Sequence, residues 1–210
     1  MRWKTLTGNR QTLLAAALII FLIFISAHLI IKTFADEPEI ALTLGEPWED
    51  MRQRSSAKVA PAPSNETWFR VPESDAHLRF IDPQYGFITP LARYFTIGFR
   101  QERVRNISLS PQVEPLLLDD ALNVVLDLQM QWREKGWSVS RPISDPPIAD
   151  TPQWRAQLRG VMGGRTFWHA EDKYQVMLML NRFKDSKRPD EERYLITLEL
   201  SRPWIPIETD

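Results

Sequence analysis

YQVMLMLNRFKDSKRPDEERYLITLEL, residues 174–200, reads as two β-strands and the polar loop that joins them. Successive side chains of a strand point to opposite faces, so Tyr174, Val176, Leu178 and Leu180 share one face. Tyr194, Ile196, Leu198 and Leu200 do the same in the second strand. Between them Phe183 to Arg193, FKDSKRPDEER, mixes both signs of charge and suits a solvated hairpin tip. The pair predicts an antiparallel sheet with one face for a core.

Working upstream, Leu78 to Ile81 and Tyr94 to Phe99 are rich in aromatic and branched residues and predict two more strands. Asp82-Pro83-Gln84-Tyr85-Gly86 between them reads as a turn, since proline presets its dihedral and glycine tolerates positive φ. Val104 to Leu109 follows as a partner of the 94–99 strand, with 100–103 as the connection. From Asp119 to Lys135, Ala121, Val125, Leu128 and Trp132 recur at helical spacing. Asp119 is placed to cap that helix, Arg133 and Lys135 suit its negative end, and Gly136 suits the left-handed stop. The expected fold of residues 67–210 is therefore α+β, an antiparallel sheet packed against one long helix.

Pro142, Pro146, Pro147 and Pro152 stiffen the connection after that helix. Asp150-Thr151-Pro152-Gln153 then predicts a short helix capped by Asp150, with Trp154, Leu158 and Val161 along one side and a stop at Gly163-Gly164.

At the other end, Leu13 to Ile31 is an apolar run, LLAAALIIFLIFISAHLII, long enough to span about 28 Å as a helix. It predicts a transmembrane helix at 11–34, with the bilayer as a partner. Arg2, Lys4 and Arg10 precede it and only Lys32 follows closely, so residues 1–10 are expected in the cytoplasm and the rest exported. Thr33-Phe34-Ala35 offers a competing cleavage site, but the apolar core exceeds the roughly 7–15 residues of a signal peptide. The chain contains no cysteine, hence no disulfide framework, which fits a bacterial inner-membrane protein with 36–210 in the periplasm. Residues 35–66, acidic and then rich in Pro, Ala and Ser, read as a flexible tether with a short helix around Trp48 to Arg54.

Residues 67–210 carry 19 basic and 20 acidic side chains, a balance that argues against a nucleic-acid surface. His169-Ala170-Glu171-Asp172 is the best metal-like cluster, and His169 and Glu171 would share a side if extended. No HExxH, GxSxG or Walker spacing accompanies it, so neither catalytic residues nor a cofactor are expected. Tryptophan and arginine are favoured interface anchors, and Trp68, Trp154, Trp168 and Trp204 lie near element ends or prolines. Trp154, Arg155 and Arg159 beside the stiff connection, Trp168, and Lys187 and Arg188 at the hairpin tip are the candidate contact residues. Together these features predict a single-pass protein presenting a periplasmic protein-interaction domain, as an envelope-complex component or a toxin-neutralising immunity protein. The alternatives are a metal-assisted hydrolase using His169 and Glu171, or a sensor holding its ligand between sheet and helix.

Overall fold

Alternation of inward apolar and outward polar side chains generates most of the computed structural model, which describes residues 37–62, 64 and 66–208. In chain order the elements are β1 (Glu39–Leu42), α1 (Trp48–Arg54), β2 (Thr67–Arg70), β3 (His77–Phe80), β4 (Phe87–Ile88), β5 (Phe95–Arg100) and β6 (Arg103–Leu109). They continue with α2 (Leu118–Glu134), β7 (Ser138–Val139), α3 (Pro152–Arg159), β8 (Gly164–Ala170), β9 (Tyr174–Phe183) and β10 (Arg193–Ser201). Seven strands make one antiparallel sheet in the order β2-β5-β6-β10-β9-β8-β7. A second sheet of three, β1-β3-β4, contains the parallel pair β1 and β3.

The predicted tail hairpin is present, with Arg193 opposite Phe183 and Ser201 opposite Gln175. Tyr194, Ile196, Leu198 and Leu200 are all fully buried. The β5–β6 pair also forms, and Gln101 and Glu102 turn the chain with φ of 51° and 59°. Both central residues of such a two-residue turn need positive φ, which matches the right-handed strand twist.

Helix α2 lies over β9 and β10 and buries Leu118, Ala121, Leu122, Val125, Leu128, Gln129 and Trp132. Leu117 occupies its N-cap without a side-chain bond, while Asp119 and Asp120 sit in the first turn, where negative charge is favoured. At the far end Gly136 adopts φ of 84°, and Trp137 N–H reaches back to the Trp132 carbonyl at 2.9 Å. Gln129, buried on this helix, bonds both backbone groups of Ile148 at 2.7 and 3.0 Å and so fastens the proline-rich connection to the core. Phe87, Trp132, Trp137 and Trp168 pack there with ring centroids 5.7 to 6.4 Å apart.

Four expectations need correction. The domain is mostly sheet, ten strands in two sheets with three short helices among the described residues, rather than α+β on one sheet and one long helix. One helix could not cover a sheet of seven strands, so the second sheet and α3 share that task. The expected transmembrane helix at 11–34 lies outside the described residues. Among those described no helix is long and apolar enough to cross a membrane, against the membrane, transmembrane and signal-anchor reading. Residues 39–54 are not a tether: β1 pairs with β3, and Ile40, Ala41, Leu42 and Met51 are fully buried. The short helix expected near Trp48 is α1. Finally, α3 stops at Arg159 because Gly160 is extended (φ −78°, ψ 179°), which leaves Val161 fully exposed.

Burial of β1 has a direct consequence. Leu42→Ala should lower the unfolding free energy by about 2–5 kcal/mol in a denaturant titration, the usual cost of a large core truncation. An unchanged midpoint would return residues 39–42 to the status of a tether.

Candidate functional site

The face of the large sheet that carries α2 and α3 is closed. The opposite face, reached by Thr96 on β5, Ser108 on β6, Leu195 and Thr197 on β10, Met177 and Met179 on β9, is only half-buried. A groove of about 570 Å³ opens on it. Thr96, Ser108, Leu195 and Thr197 form its floor, and the 110–115 loop, the hairpin segment from Phe183 to Arg188, and Arg93 with Tyr94 form its sides. That volume lies within the roughly 300–1,000 Å³ common for binding pockets.

Hydrogen bonds hold both long walls in place. Gln112 is buried in the first wall, donates to the carbonyls of Glu114 and Tyr194 at 2.9 and 3.0 Å, and accepts from Ile196 N–H at 2.9 Å. Ser110 Oγ donates to the Ile196 carbonyl at 2.6 Å, and Leu116 exchanges two backbone bonds with Tyr194. In the second wall Asp185 accepts from Lys187 N–H at 2.9 Å and from Arg188 Nε at 2.8 Å. The same Arg188 guanidinium donates to Glu114 at 3.1 Å and ties the walls together. The Arg188 hydrogen bond, and then the Lys187 amide, hold the Asp185 carboxyl below its ordinary range. Arg93 is engaged by Asp75 at 3.2 Å. Lys187 makes no ion pair among the described residues, and the hydroxyls of Thr96, Ser108 and Thr197 make no hydrogen bond to them.

The residues singled out from sequence do not converge. Lys187 and Arg188 line the groove. Trp154, Arg155 and Arg159 belong to α3 on the closed side. Trp154 packs against the core, and Arg155 donates to Asp150 and, at 2.6 Å, to Asp119, so it links α3 to the start of α2. Asp150 therefore serves Arg155, and the N-cap is Thr151, whose Oγ1 accepts from Trp154 N–H at 3.2 Å. Arg159 reaches Glu192 at 3.4 Å. Trp168 is corrected outright as a contact residue: it is 1% exposed, packed on Trp132, with Arg133 5.0 Å above its ring. Its position on β8 alternates with Phe167 and His169, which point the other way.

His169 and Glu171 do not converge either. The chain turns at Glu171, with φ of 50°, and its carboxylate faces Lys173 at 3.4 Å. His169 Nδ1 lies 3.2 Å from Ser140 Oγ. No cluster of three metal-ligating side chains occurs among the described residues. The groove floor of Thr96, Ser108, Leu195 and Thr197 was not singled out, although each residue holds the outward position between two core side chains.

No known protein family, curated protein or solved structure matches this chain.

Burial holds the His169 imidazole below its ordinary value of 6.5. The proton then binds the unfolded chain more tightly, so this contribution to stability is complete above about pH 6.5 and is lost as pH falls through the folded value. Denaturant titrations at about pH 7 and about pH 5.5 should show a smaller acid loss in His169→Gln than in the parent. An equal loss in both would contradict this account of the imidazole.

Proposed function

We propose that the folded domain acts by binding a protein partner, with the groove on the open sheet face as the contact site. The observation that supports this is the cavity itself, whose two walls are fastened by Gln112, Ser110 and Arg188 before any ligand arrives. A preformed site avoids the cost of ordering loops on association. Its floor offers hydroxyls that bond no other described residue beside apolar Leu195, with Phe183 and Tyr94 at the rim, the mixture of apolar body and few polar contacts that recognition surfaces use. The ionic groups around it are mostly paired with one another, which suits a near-neutral protein surface better than a polyanion.

Leu195 is the residue to perturb, since it is half-buried in the groove floor and its neighbours Tyr194 and Ile196 carry the core. Leu195→Glu in the full chain should abolish recovery of a crosslinked partner from cells while leaving the circular dichroism spectrum unchanged. Equal recovery from the folded variant would remove the groove from consideration.

A further inference from the structure

The chain does not end at β10. Residues 202–208 turn back across the open face as a strap without regular secondary structure. Gln175 on β9 holds it: its Oε1 accepts from the N–H groups of Trp204 and Ile205 at 3.0 and 2.9 Å, and its Nε2 donates to the Ile205 carbonyl at 3.0 Å. Further along, Glu208 N–H donates to the Ser140 carbonyl at 2.7 Å, and the Glu208 carboxylate accepts from Ile143 N–H at 2.9 Å. These bonds secure backbone and carboxylate while the apolar side chains stay out. Trp204 leans on Phe167 yet remains 42% exposed, Ile207 is 48% exposed, and Ile143 beside them 71%. The result is a fixed apolar ridge.

Ridge and groove share one face of one sheet. Phe167 and Gln175 beneath the ridge alternate with core-facing Trp168 and Val176, as Thr96 and Thr197 in the groove alternate with Ile97 and Leu198. A raised strip and a hollow on the same face are self-complementary under a twofold axis lying in the plane between two facing copies, midway between the two features. Such an isologous contact puts each ridge over the other copy's groove. Five strands spaced about 4.8 Å apart and about 23 Å long offer roughly 550 Å² per copy. With the ridge inserted, the pair reaches the lower end of stable interfaces, about 1,200 Å² in total.

We infer that the occupant of the groove is a second copy of this chain, which inserts Trp204 and Ile207 of its C-terminal strap. The inference rests on the binding reading of the groove proposed above. A benzophenone amino acid at position 197 of the full chain, photolysed in cells that express it, tests both. The expected product has twice the 24.5 kDa of one chain, maps to the strap of the second copy, and disappears in Trp204→Ala, whose own fold is checked by circular dichroism. A doubled product that persists in folded Trp204→Ala overturns the inserted ridge. An adduct of any other mass overturns the second copy and leaves the groove as a binding site. No adduct at all overturns both.

Discussion

Period-two burial along β10 is the constraint on which the domain depends. This strand sits in the middle of the large sheet, pairs with β6 on one side and β9 on the other, and turns four fully buried side chains toward the core. A slip of one residue would send Tyr194, Ile196, Leu198 and Leu200 to the open face and Leu195, Thr197 and Glu199 into the core. The same alternation that closes one face of the sheet leaves Thr96, Ser108, Leu195 and Thr197 on the other, where they floor the groove. Core and candidate site are therefore two consequences of one register.

Elements with a long period were readable in the sequence. The apolar spacing of Ala121, Val125, Leu128 and Trp132 places α2 within a residue of its observed ends, and the alternation at 174–180 and 194–200 falls inside β9 and β10. Short helices with their own caps or spacing, such as α1 near Trp48, were also readable, but some short strands were not, because their signal is tertiary. Strand β1 contributes Ile40, Ala41 and Leu42, all buried, and its parallel partner β3 arrives only after a long excursion through α1 and β2. Parallel pairing across such a crossover leaves no local turn signature. Strand β8 was hidden in the same way: Gly163 and Gly164 read as a helix stop, yet Gly164 begins a strand whose register with β9 decides that Trp168 faces the core.

The candidate site was legible only at its rim. Charged residues such as Lys187 and Arg188 attract attention in a sequence, whereas Thr96, Ser108 and Thr197 are ordinary outward positions until neighbouring strands bring them together. Arg155 shows the opposite case, a conspicuous side chain that both of its aspartate partners employ within the fold. The walls carry the same lesson, since Gln112 and Ser110 are unremarkable in sequence and become the fixings of a loop only when β10 supplies their backbone partners.

The division into a closed face and an open one carries the proposed role, and thiol accessibility along β10 tests it most directly because the chain has no cysteine of its own. Single cysteines introduced in turn from 194 to 200 of the Trp204→Ala chain, whose groove no second copy fills, would be reacted with a small maleimide under native conditions. Labelling should be fast at 195, 197 and 199 and strongly protected at 194, 196, 198 and 200. Uniform labelling, or the opposite phase, would contradict the register from which both the core and the groove are derived.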